Sequence, residues 1–137
     1  MYLLDTSTLI DLSKERPRVV AHFAETGSAS VYASVISQGE LLIGVRRLQR
    51  IRPERYPAEL DRVTRLLDDV GLLSVTSPIA AAYSQIQAEL MSRGRGRLTI
   101  NDGWIAATAL EHQLALVTSD AHLKSLSDIV SIEDWRE

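Results

Sequence analysis

Tyr2-Leu-Leu-Asp5-Thr-Ser-Thr-Leu-Ile-Asp11 reads as strand, turn and helix: a short apolar run ends in an acid, passes three hydroxyl residues, and resumes with apolar positions at helical spacing. A strand this close to the N-terminus usually sits in the middle of an α/β sheet. The residue at its carboxyl end then points into the crevice where such sheets bind ligands, and Asp5 holds that position. Taken alone, Asp5 reads first as an N-cap, its side chain accepting an orphan backbone N–H for about 1 kcal/mol. Only partners elsewhere in the chain can add a functional reading.

The remaining chain alternates helix and strand signals. Pro17 opens an amphipathic segment with Val19, Val20 and Phe23, which Gly27 closes. Ser30 to Ser34 is a short strand; Ser37 to Ile51 is a helix with Leu41, Leu42, Val45 and Leu48 apolar. Pro53 and Pro57 punctuate a turn before a helix carrying Leu60, Val63, Leu66, Leu67 and Val70, with Gly71 as its stop. Leu72 to Thr76 is the third strand. Pro78 then starts an alanine-rich helix through Leu90 that gives way to Gly94-Arg95-Gly96-Arg97, a flexible basic loop. Asn101 or Asp102 opens the next helix, Leu114 to Thr118 is the fourth strand, Ala121 to Leu126 a short helix, and Ile129 to Ile132 the last strand. Strands separated by helices imply parallel pairing, so the expected fold is a three-layer α/β/α sandwich around a mostly parallel five-stranded sheet.

At 137 residues the chain is read as a single domain, residues 1–137, able to bury its own core. Its 45% hydrophobic and 24% charged residues describe an ordinary globular protein and exclude a disordered or fibrous one. The absence of cysteine excludes disulfides and thiolate zinc sites. No apolar run approaches the roughly 18–20 residues of a membrane span, and Asp5 interrupts any signal-like start. The expectation is a soluble cytoplasmic protein with no membrane partner. A net charge of −3 argues against a generally cationic nucleic-acid coat, but arginines cluster: Arg46, Arg47, Arg50, Arg52 and Arg55 in one stretch, Arg93, Arg95 and Arg97 in another. Arginine is the side chain suited to forked phosphate contacts, although a solvated helix face explains the first cluster as well.

Three further acids stand out. Glu40 lies on the helix after the second strand, Asp102 opens the helix before the fourth, and Asp120 follows that strand's carboxyl end. Each has a local explanation: Ser37-Gln-Gly-Glu40 is a capping box with Ile36 and Leu41 as a staple, Thr99 to Asp102 nearly another, and Asp120 a cap for the helix from Ala121. Against this, Glu40 is in line with Ile36, Ile43 and Gly44, and Asp102 with Ile105, Ala106 and Ala109. Both carboxylates therefore turn toward inward-facing residues, and Gly44 leaves room for close approach to the sheet. Buried acids need positive partners. With no lysine or arginine regularly beside all four, a cation is the simpler partner, and carboxylate ligation selects Mg²⁺ or Mn²⁺ over zinc.

Asp5-Thr-Ser, Glu40-Leu-Leu-Ile-Gly44, Asn101-Asp102-Gly-Trp-Ile-Ala-Ala-Thr-Ala109 and Leu116-Val-Thr-Ser-Asp120 together resemble, in order and spacing, the PIN-domain ribonucleases, and most of all the VapC toxins of toxin–antitoxin pairs. The resemblance covers nearly the whole chain. It implies a metal-dependent endoribonuclease in which Asp5, Glu40, Asp102 and Asp120 are catalytic metal ligands, Glu40 directly or through water, with Thr118 and Ser119 hydrogen-bonding behind them. It further implies a 5′-phosphate product, single-stranded or looped RNA as substrate, Arg46, Arg47, Arg50, Arg93, Arg95 and Arg97 guiding its backbone, and a VapB-like antitoxin as partner. A homodimer is expected from the apolar excess of Leu41 to Val70. The alternatives are a PIN endonuclease of RNA processing without an antitoxin, and a non-catalytic receiver-like acidic pocket. Receiver chemistry wants a lysine just after a late strand, and Lys124 lies several residues past Thr118. A haloacid-dehalogenase phosphatase wants an acid at Ser7. His22, His112 and His122 are read as structural or exposed.

Overall fold

The computed structural model describes residues 1–137. Five parallel strands form one sheet in the order β3-β2-β1-β4-β5: β1 Tyr2–Leu4, β2 Val31–Ser34, β3 Gly71–Leu73, β4 Ala115–Val117 and β5 Ile132–Glu133. Seven helices connect them: α1 Thr6–Ser13, α2 Pro17–Thr26, α3 Val35–Ile51, α4 Tyr56–Asp68, α5 Ser77–Ser92, α6 Ile100–Glu111 and α7 Ala121–Lys124. No helix is long and apolar enough to cross a membrane.

Successive strand residues face opposite sides of a sheet, so Leu3 and Leu4, both fully buried, seed separate cores. Leu3 packs with α5 and α6 residues such as Ile86, Ile105 and Ala106, while Leu4 packs with Leu9, Val45, Val63 and Leu67 from α1, α3 and α4. Burying each leucine contributes about 1.5–3 kcal/mol. The resulting three layers are those the alternating pattern predicts. Leu4 pairs in register with Ala33 on one side and Val117 on the other, which brings the carboxyl ends of β1, β2 and β4 to one edge. Because the chain leaves β1 toward β2 and β3 and later returns on its other side as β4, strand order reverses at β1, where a crevice opens.

Several boundaries differ from the sequence reading. Helix α3 starts at Val35 instead of Ser37, because Ser34 ends β2 and its side chain accepts from the Ile36 N–H at 3.1 Å. Ser37-Gln-Gly-Glu40 is therefore not a capping box, and Ile36 and Leu41 are not its staple. Gly44 is exposed with open space where a Cβ would stand, and Ile43 is 62% exposed, so neither faces the sheet. The final strand is Ile132–Glu133 instead of Ile129–Ile132, set by pairing of Ile132 with Leu116. Gly71 opens β3 beside the Tyr32 ring; it does not merely stop a helix. Most apolar side chains of Leu41 to Val70 are core: Leu41, Val45, Val63, Leu66, Leu67 and Val70 are buried, leaving Ile43 and Ile51 outside. Beyond β5 the tail folds back. Trp135 stacks on His22 and meets Tyr2 edge-on, and Arg136 forks onto buried Asp11 through contacts of 2.6 and 3.0 Å.

Candidate active site

Asp5 follows β1 and caps α1, its Oδ1 accepting the Thr8 N–H at 2.8 Å. The cap explains only part of its surroundings. Ser7 Oγ lies 3.0 and 3.1 Å from its two oxygens, and Thr118 Oγ1 donates to Oδ2 at 2.5 Å from across the sheet. One backbone and two hydroxyl protons thus fix a carboxylate that is 4% exposed, leaving about one of its four lone-pair positions open.

Glu40 reaches the same crevice from the second turn of α3. Thr6 Oγ1 donates to its Oε1 at 2.7 Å and lies 2.9 Å from the buried Ser37 hydroxyl. A hydroxyl carries one proton, so with Thr6 committed to Glu40, Ser37 donates to Thr6. The three residues form a chain that aims the carboxylate.

Asp102 lies in the first turn of α6, whose cap is Thr99; the Thr99 hydroxyl accepts the Asp102 N–H at 3.3 Å. Burial pushes the Asp102 carboxyl above the ordinary carboxylate range. A side-chain hydrogen bond from the Thr99 hydroxyl to the carboxyl opposes this, and the neighbouring charges of Asp120, Glu40 and Asp5 push it further up. Asp120 caps α7, Oδ1 accepting the Leu123 N–H at 3.0 Å, while its own N–H donates to Thr118 Oγ1 at 3.0 Å. Thr118, fully buried, therefore ties Asp5 to Asp120. Ser119 has no such bond.

Asp5, Glu40, Asp102 and Asp120 line one open cavity of about 250 Å³ with Thr6, Ser7 and Ile10. No basic side chain lines it. Its donors are carboxylate and hydroxyl oxygens, the set that suits a hard cation over zinc. The acids are spread round the walls: no three converge as a ready-made ligand cluster. Capping and a shared pocket are thus compatible, since the strand ends that start α1 and α7 are also the edge of the crevice.

The arginines are not gathered at these acids. Arg46, Arg47 and Arg50 line a separate groove on α3 with Gly39, Leu42 and Ile43, and Arg46 donates to the Tyr56 hydroxyl at 3.0 Å. Arg93 is paired with Glu89 and Asp128, and Arg95 donates to Ser125 O and Oγ at 2.6 and 2.9 Å. Those two arginines brace α5 and the loop after it against the segment following α7. Arg97 remains unpaired. Sequence reasoning missed Thr6, Ser7 and Ser37 as residues of the site. Thr6 and Ser7 were visible as hydroxyls directly after Asp5, but nothing local signals Ser37's bond to a residue 31 positions away.

A parallel sheet with a four-acid crevice at its reversal point defines an α/β protein with an acidic ligand pocket. The chain belongs to the PIN-domain family, whose model matches residues 2–129. It is 31% identical to Toxin FitB of Neisseria gonorrhoeae over 140 residues, spanning 100% of both chains. It is 32% identical to Ribonuclease VapC4 of Mycobacterium tuberculosis over 96 residues, 70% of this chain and 71% of that one. Among solved structures it is similar to FitAcB from Neisseria gonorrhoeae, with a TM-score of 0.85 at 30% identity, covering 100% of this chain and 99% of the other.

Proposed function

We propose that this chain is an endoribonuclease toxin of the VapBC type, hydrolysing RNA phosphodiester bonds at the four-acid cavity with Mg²⁺ or Mn²⁺. The observation that carries the reading is the meeting of four carboxylates from four separate segments in one cavity with no basic side chain in its lining. Similarity to proteins named as a toxin and as a ribonuclease supports the substrate and the biological role.

The donor chemistry of the cavity, carboxylate and hydroxyl oxygens, suits such a cation. Hydrated Mg²⁺ keeps several of its waters and is held through one or two carboxylates, so ligands ranged round a cavity fit it without prior convergence. Bound there, the ion would lower the pKa of a water and offset phosphate charge. Asp5 is the rigid ligand, since Thr8, Ser7 and Thr118 hold it in one orientation. Asp102 is a ligand whose charge burial disfavours in the absence of a cation. Glu40, aimed by Thr6, holds the ion or orients a water, and Asp120 presents the oxygen its capping bond leaves free. Cleavage in this way leaves a 5′-phosphate and a 3′-hydroxyl.

A toxin must be restrained in the cell that makes it, and a VapB-like antitoxin is the partner we assign. We also assign a homodimer, resting on Ile43 and Ile51 left exposed on α3. Purified chain free of partner should cut RNA with Mg²⁺ or Mn²⁺ and stop on chelation. Cutting that persists in EDTA or survives Asp5→Ala would overturn the reading. Sedimentation at micromolar concentration tests the dimer, a monomer counting against it.

A further inference from the structure

Asp102 belongs to two cavities. On one side it faces the other acids; on the other it is part of the wall of a second pocket of about 150 Å³, whose polar lining includes Arg97, Thr99, His122 and Ser125. The second pocket has the opposite electrostatic character. Arg97 and His122 are exposed side chains with no ion-pair partner, and both face the same space.

The loop that carries Arg97 is held on both sides. Gly94 and Gly96 take left-handed φ values of 68° and 70°, which set its turns, and Arg95 is tied to Ser125 across the pocket mouth. After Arg97, Leu98 is clamped by buried Gln87, which accepts the Leu98 N–H at 2.9 Å and donates to its carbonyl at 3.2 Å. The fold therefore holds one arginine without a partner in the pocket that shares Asp102 with the acidic cavity, while tying down the two before it in sequence.

Resting on the ribonuclease reading, we propose that this pocket seats the phosphate adjacent to the scissile one, Arg97 and His122 contacting its oxygens and Thr99 and Ser125 lining the seat. A strand held there by one phosphate presents the next to the acids, so the site takes a continuous single strand and grips it on one side of the cut. The Asp102 carboxylate in the shared wall disfavours an anion on its own. Arg97 is the cation that offsets it and His122 adds a hydrogen-bonding ring, and their removal is read in binding even where no cleavage occurs.

The test uses a fluorescein-labelled single-stranded RNA hexamer of mixed sequence, its binding to the whole chain followed by anisotropy in EDTA across a KCl series, with probe length checked by gel. Arg97→Gln should weaken binding several-fold and make the slope of log K against log salt shallower by about 0.7, one phosphate contact. His122→Gln should weaken it less. Arg65→Gln, the same charge change outside the pocket, should leave slope and affinity at the parent values. Thermal melting of each variant checks that it is folded. Weaker binding by Arg97→Gln with an unchanged slope would mean the pocket takes a base, and would overturn the phosphate assignment. Parent-like binding and slope in Arg97→Gln would remove the inference while leaving an RNA-cutting parent chain intact. A parent chain that neither binds nor cuts RNA would remove the ribonuclease reading, and the inference with it.

Discussion

Thr6 and Glu40, 34 residues apart, are joined by a 2.7 Å hydrogen bond from hydroxyl to carboxylate, and this bond ties the Glu40 side chain on α3 to the first turn of α1 just past β1. Glu40 has no other fixed partner, so its orientation depends on Thr6. Thr6→Val should leave the fold within about 1.5 kcal/mol of the parent. It should slow RNA cleavage by about tenfold, equivalent to about 1.4 kcal/mol at the transition state. Thr6→Ser should restore most of the rate. Equal rates for Thr6→Val and the parent would show that Glu40 needs no aiming.

Asp102→Asn tests whether the acids share one field. A carboxyl whose folded pKa is raised takes up its proton more readily in the folded chain. It therefore costs stability once pH rises above the unfolded value, and the full cost is present above the folded one. The Asp102 shift comes first from burial and then from Asp120, Glu40 and Asp5, against the Thr99 bond. At neutral pH in EDTA, Asp102→Asn should melt a few degrees higher than the parent, the gap closing as pH falls from the raised folded value down to the ordinary carboxylate one. Cleavage should be abolished, and Mg²⁺ should stabilise the parent more than the variant. A variant that melts lower in EDTA and responds to Mg²⁺ like the parent would show that the acids act separately.

Gly103 lets the start of α6 lie against α5. A Cβ there would stand 2.5 Å from the Tyr83 ring and 2.7 Å from Gln87 Nε2. Neither neighbour can give way freely, since Tyr83 stacks on Trp104 at 4.2 Å and Gln87 holds Leu98. The clash should outweigh the helix propensity alanine gains, for a net loss of roughly 1–2 kcal/mol in urea unfolding. Because Asp102 is the adjacent residue, cleavage should fall too. A more stable Gly103→Ala would mean the two helices have slack.

The C-terminal tail supplies a second pH test. Burial works against the Asp134 charge, but the Lys124 ammonium at 2.8 Å and the Arg136 N–H hold its carboxyl below the ordinary range. A depressed carboxylate contributes stability that is full above its unfolded pKa and is lost as pH falls through the folded one. Lys124→Met should therefore be less stable than the parent at neutral pH, with the difference shrinking as acid protonates Asp134. A difference that stays constant down to low pH would assign the loss to packing of the lysine stem.

Much of this could be read from the sequence because the relevant forces are local. The alternation through Leu3 and Leu4, the helical spacing of Val63, Leu66, Leu67 and Val70, and the acids at strand ends are set by backbone periods of two and 3.6 residues and by capping. They gave the layer order and the four acids. What the sequence could not show was how distant segments meet. Ser34 became the cap of α3 because the sheet register ended β2 there, which freed Ser37 to bond Thr6. Ile132, and not Ile129, entered the sheet because Leu116 lay opposite it. Arg93 and Arg95 lost their freedom to Asp128 and Ser125, 30 and more positions away, while Arg97 beside them kept it. Side-chain type and spacing decide which faces must be buried and which chemistry a residue can offer. Which offers are taken up by neighbours and which are left for a substrate depends on long-range contacts, which exist only once the layers have packed.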